Sequence, residues 1–292
     1  MEKREKDCLL RLLRAELTAV HQQFIHMLAL RQWQRGEILE RITAIDAVDF
    51  KNVMHIIDHL AAHQVSASLP SHQIWPGHDV ASILSSELRM EQHMASVIDE
   101  LDFVGGETRP FIDRAAGARG EYRNWLEIEI RRHEPVTCDD KTSKAVAALL
   151  AELIALVEQS MMCAFMLWHS GRKIEADNAW RLSGASMLYG TALIKRAAYD
   201  GWMPAPSVSP EVLMPYTPEE AFGLDMILVR RCAEMGQEAA KKSGDDAISR
   251  ICLRISEDCD LMLDMQADGE FPAVFGRSPV FESFAATLEK HL

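Results

Sequence analysis

Positive charge is in short supply in this 292-residue chain. There are 31 Lys and Arg against 44 Asp and Glu, a formal charge of −13, and the excess is spread over both halves. Such a surface repels nucleic-acid backbones and anionic lipid, so neither is expected as a partner. No apolar run reads as long enough to span a bilayer. The start, Met1 to Asp7, is charged and has no apolar stretch of the signal-peptide kind. No C-x-x-C pair occurs, and Cys8, Cys138, Cys163, Cys232, Cys252 and Cys259 follow no regular framework. They read as reduced, mostly buried thiols of a cytoplasmic protein. Phosphate-binding G-x-x-x-x-G-K-S/T and G-x-G-x-x-G loops are missing, as is a G-x-S-x-G elbow. Strand-like alternation is sparse.

What remains is helical periodicity almost throughout. Gly and Pro cluster at a few places and mark the breaks. The first half predicts helices at about 5–34, 37–64, 79–103 and 111–133. Gly105-Gly106 ends the third, and Pro110 opens the fourth. His133 to Asp140 reads as a linker between domains at 1–136 and 137–292. The second half predicts helices at about 142–170, 173–200, 218–243 and 245–268. A short last helix is expected from Ser278-Pro279.

The second half repeats the first. Ala15-Glu16-Leu17 recurs as Ala151-Glu152-Leu153, an offset of 136. In each half a long Pro-containing connection follows the second helix: Val65 to His78, then Gly201 to Thr217. One long connection among short ones is what a bundle needs when its second and third helices run parallel. The expected fold is all-α, with two tandem four-helix bundles, each with a crossover between helices two and three.

The motifs point to a family. Ala15-Glu16-Leu17-Thr18-Ala19-Val20-His21-Gln22-Gln23-Phe24-Ile25-His26, followed by Trp33, resembles the first helix of a bacterioferritin, within the ferritin-like superfamily. Leu84-Ser85-Ser86-Glu87-Leu88-Arg89-Met90-Glu91 resembles its L-x-x-D-L-x-L-E, and Tyr122 to Glu127 its H-I-D-W-L-E. The resemblance rests on motifs over residues 10–127 and on topology beyond. It implies a di-metal centre with one Glu on each of two helices and Glu-x-x-His on the other two.

Here that ligand set is degenerate. Glu16 and Glu91 match the single glutamates. Asp49-Phe50-Lys51-Asn52 falls over E-M-K-H, so Asp49 replaces the bridging Glu and Asn52 the His. The haem-ligating methionine falls at Phe50, so no haem is expected. Arg119 and Tyr122 stand where the last Glu and His belong. The resemblance therefore puts Glu16, Asp49 and Glu91 around Arg119 in the first core. Those acids would have their pKa values raised by burial, and the guanidinium would supply part of the missing metal's charge. A sparse Fe or Mn site at Glu16, Asp49 and Glu91 is the other reading.

His55, His59 and His63, spaced i, i+4 and i+8, line one helix face, which reads as a solvated stripe or a surface metal site. His21 and His26 read as structural. In the second half only a weak acid set is found: Glu158, Asp225, Glu257 and Asp260, with Ser183 and Ser186 where ligands would stand. The expected function is that of a ferritin-like protein with a degenerate di-metal site, acting as a binding or assembly component. Its partner would be another protein, a second copy of itself, or a small molecule in the bundle core. The alternatives are an O2-activating Fe/Mn-dependent oxidoreductase at the first bundle, and surface metal binding by the His stripe.

Overall fold

The computed structural model describes residues 3–267, apart from 66, 71, 102–105, 118, 134–140, 201, 206 and 216. The helix expected from Ser278 lies outside the described residues, as does most of the expected linker. The described residues are mostly helical, with four very short strands. In order the chain runs α1 (Lys3–Gln32), α2 (Gly36–Ala62), β1 (Ala67–Leu69), β2 (His72–Ile74), α3 (Val80–Leu101), a 3-10 turn (Gly106–Thr108), α4 (Arg109–Gly117) and α5 (Arg119–Ile130). It continues with α6 (Lys141–His169), α7 (Lys173–Tyr199), β3 (Ser207–Ser209), β4 (Val212–Met214), α8 (Pro218–Lys242) and α9 (Asp246–Ala267).

The periodicity sets which faces pack. On α1, Leu9, Leu12, Leu13, Leu17 and Val20 recur at helical spacing and are buried. α1 lies against α2 and α3, and α3 against α5. In the second half α6 lies against α7 and α8, and α9 against both α7 and α8. The halves meet crosswise, α1 on α7 and α2 on α6. α8 starts on a capping box: Thr217 accepts from the Glu220 N–H, the Glu220 side chain accepts from the Thr217 N–H, and Pro218 fills the first turn.

Two expectations change. The single helix at 111–133 is two, α4 and α5. Gly117 ends the first, and glycine loses the most backbone freedom on entering a helix. α6 is long and apolar enough to cross a membrane (mean hydropathy 1.7 over its best window), contrary to the reading that no such run exists. That window is 94% buried inside the protein, so α6 is a core helix surrounded by its neighbours.

Local geometry recurs at a fixed interval. α1 ends with Gln34 at φ 57° and with Arg35 N–H bonded to Leu30 O and Gln34 N–H to Arg31 O. This left-handed stop satisfies two terminal carbonyls. The same bonds recur 137 residues on, from Arg172 to Leu167 and from Gly171 to Trp168, with Gly171 at φ 80°. α2 closes with Val65 bonded to Leu60, and α7 with Trp202 bonded to Ala197, again 137 apart.

The long connections bond to each other. β1 pairs antiparallel with β4, Ala67 opposite Met214 and Leu69 opposite Val212. β2 pairs antiparallel with β3, His72 opposite Ser209 and Ile74 opposite Ser207. Exchanging the two connections maps this pairing onto itself, the pattern of a two-fold axis between halves.

Candidate functional site

The first core carries polar groups from four helices. Glu16, Gln23 and His26 come from α1, Asp49 and Asn52 from α2, Glu87 and Glu91 from α3, and Arg119 and Tyr122 from α5. All nine are buried. Spacings of three, four or seven keep each set on one helix face.

Arg119 sits among three acids. Its Nη1 donates to Glu91 Oε1 at 2.6 Å, and its Nη2 to Asp49 Oδ1 at 2.5 Å and Glu16 Oε2 at 3.1 Å. Its Nε donates to Ala115 O at 2.9 Å, which fixes the plane of the guanidinium. Asn52 Nδ2 donates to the other Glu16 oxygen at 3.2 Å, and Gln23 Nε2 to Asp49 Oδ2 at 3.0 Å. A second cluster adjoins. Tyr122 Oη donates to Glu87 Oε2 at 2.8 Å, and His26 Nδ1 lies 2.5 Å from Glu87 Oε1. His26 Nε2 donates to Trp75 O at 2.9 Å, which anchors the other edge of the ring.

The electrostatics follow from burial. Glu16 and Asp49 are both raised, desolvation being the largest cause; Asp49 raises Glu16 further, while Arg119 opposes both shifts. Glu91 is pushed up to about 7 by burial against the pull of Arg119. Asp46, one turn before Asp49, is pushed up to about 7 by burial and by Asp49 and Glu87. Burial works to lower Arg119, but Asp49, Glu16 and Glu91 together outweigh it, so the guanidinium is raised and stays charged.

These residues do not fit a di-metal centre. Metal ligands must converge with lone pairs. Here Asn52 and Tyr122 direct N–H and O–H groups at the acids, and the Arg119 cation lies within 3.1 Å of Glu16, Asp49 and Glu91. An Arg holding the acids together is the chemistry of a charge-compensated core.

The sequence reading missed Glu87 and Asp46 as members of this site. Glu87 had a signal, since it stands four residues before Glu91 and so shares its face. It also missed a buried cluster at the seam between halves. Glu158 on α6 is held by Arg14 of α1 through two bonds, 3.1 and 2.6 Å, and His21 Nδ1 lies 2.9 Å from it. His72 Nδ1 accepts from Arg14 at 2.5 Å and from Ser209 Oγ at 2.9 Å. Burial pushes His72 down to about 3, so it is neutral, while burial of Glu158 is outweighed by Arg14 and the His21 hydrogen bond, which hold it well below the usual carboxylate range. No local motif marks Arg14 or His72, because strand pairing between the connections delivers His72.

The weak second-half acid set does not converge. Glu158 turns to the first half. Asp225 is buried, accepts from Ser160 at 3.0 Å and is raised to about 7 by burial. Glu257 and Asp260 are exposed, and the residue facing inward is Asp258, which accepts from Tyr189 Oη at 3.0 Å. The corresponding register was off by one. Glu152, matched to Glu16 at an offset of 136, pairs instead with Arg231 at 2.6 Å. Ser183 and Ser186 bond to backbone carbonyls.

The His stripe divides. His55 accepts from Arg114, while His59 and His63 stay together with Glu107 nearby. The five described cysteines are free and buried. Searches among known protein families, curated proteins and solved structures find no match to this chain.

Proposed function

We propose that this is a ferritin-like protein formed by two tandem four-helix bundles, in which an arginine-centred charge network replaces the di-metal centre of the first. It serves as a non-redox binding or assembly component. The observation that carries this is the Arg119 guanidinium bonded to Glu16, Asp49 and Glu91 at once.

The 137-residue recurrence supports the duplication. At that interval, with 138 for α3 onto α8, Glu16, Asp49, Glu91 and Arg119 correspond to Leu153, Ser186, Val229 and Ser256. All four charges are gone together in the second core. A mutually compensated network is lost as a unit, since removing one member leaves the others buried and unpaired.

An assembly role draws support from the surface. Around the α6–α7 turn Trp168, Ile174 and Trp180 are 56%, 71% and 43% exposed. The corresponding residues of the first half are Arg31, Glu37 and Thr43. Large apolar side chains grouped at one corner suit a protein partner or a second copy.

The test is the metal content of tag-free protein by mass spectrometry, before and after anaerobic Fe(II) loading. The expected result is no stoichiometric Fe or Mn at the Glu16, Asp49 and Glu91 core under either condition. One or two Fe or Mn per chain, lost on Glu16→Ala, would overturn the reading in favour of the Fe/Mn oxidoreductase.

A further inference from the structure

We propose that His59, His63 and Glu107 form a surface site for a single divalent cation of the Zn(II) class, independent of the first core. The two histidines are one turn apart at the end of α2, and Glu107 comes from the 3-10 turn that precedes α4. Glu107 Oε2 lies 4.0 Å from His59 Nε2 and 3.9 Å from His63 Nε2, and one ligand atom from each of the three residues lies within 4.8 Å of the others. A tetrahedral ion with ligands at its usual bond lengths sets neighbouring ligand atoms about 3.4 Å apart. The Glu107 side chain is 75% exposed, so it has room to turn in towards the two imidazoles.

The histidines are prepared for a cation in ways that spacing alone does not provide. His63 Nδ1 donates to the His59 carbonyl at 2.9 Å, which fixes the tautomer and leaves the Nε2 lone pair facing Glu107. This is the outer hydrogen bond that metal-ligating imidazoles commonly make. The His59 ring packs on Phe111 with centroids 5.3 Å apart, which restricts its rotation. Two imidazoles and one carboxylate suit Zn(II) and leave a position for water. His55, the third member of the stripe, is turned to Arg114 and takes no part.

Bound there, the ion ties the end of α2 to the turn between α3 and α4. The experiment is calorimetric titration of the full tag-free chain with Zn(II) alone. One Zn(II) per chain is expected. His59→Gln, His63→Gln and Glu107→Gln should each weaken it by about tenfold or more, while His55→Gln leaves it unchanged. Absence of one-to-one binding would overturn the proposal, as would binding that survives His59→Gln combined with His63→Gln.

Discussion

His21 and Glu158 hold corresponding places on α1 and α6, and they meet across the seam with Nδ1 2.9 Å from Oε1. On a two-fold axis each residue faces its own counterpart. Here the counterparts differ, and the contact pairs a histidine with a carboxylate. Arg14 and His72 of the first half join it; the residue 137 after Arg14 is Ala151, and the first residue of β4, matching His72 at the start of β2, is Val212. Two copies of the second half would bring Glu158 against Glu158 with no arginine. The seam thus specifies a first half against a second half.

Glu158→Gln should therefore be costly. It leaves Arg14, buried at 8% exposure, without its carboxylate. The expected loss is about 3–5 kcal/mol, measured by urea unfolding. A loss under about 1 kcal/mol, the range of a surface pair, would show that the cluster is not sealed from water.

Arg119→Ala should destabilise the chain by a similar amount, about 3–5 kcal/mol, since three buried acids lose their counter-charge. Replacing the whole network by the second-half residues (Glu16→Leu, Asp49→Ser, Glu91→Val, Arg119→Ser) should cost less than Arg119→Ala alone. Equal or greater loss in the fourfold variant would contradict mutual compensation.

The raised acids give a pH dependence of definite sign. Glu91 and Asp46 titrate at about 7 in the folded chain against 4.5 and 3.8 otherwise. The folded state then binds more protons, and stability falls as pH rises from about 4 to 7 and levels off above. At most the Glu91 shift is worth about 3 kcal/mol and the Asp46 shift about 4 kcal/mol. Unfolding midpoints for the native chain and for Asp46→Asn, which leaves the Arg119 network intact, should converge at low pH and diverge towards pH 8, the variant being the more stable. A parallel pair of curves would rule this out.

The cysteines give a simpler check. Burial pushes Cys252 up to about 12 and raises the Cys163, Cys232 and Cys259 thiols as well. Thiol reagents should reach these four only as fast as the chain unfolds. Rapid labelling of Cys163 in native protein would show that the α6–α8 contact opens locally.

The helices were legible because periodicity and Gly/Pro punctuation act locally, and most ends fall within a few residues of expectation. The family resemblance of the motifs put Glu16, Asp49, Glu91 and Arg119 in one core, and their side chains do meet there. Glu107, His72 and Arg14 were not legible. Their positions depend on a turn, a strand pairing and a seam, which are long-range results that no local pattern carries. The second-half register failed for a related reason. The Ala-Glu-Leu match lies one residue off the interval at which turns and helix starts recur, and on a helix one residue turns a side chain to a different face.

The pairing of β1 with β4 and of β2 with β3 bears on the order of events in folding. Among the described residues, neither connection finds a strand partner within its own half. Local helix hairpins form early, because their loops are short. The two connections can zip together only once both hairpin pairs exist and have docked. His72 reaches Arg14 and Ser209 through that last step, so the seam cluster should acquire native protection later than the Arg119 network, which one half assembles by itself.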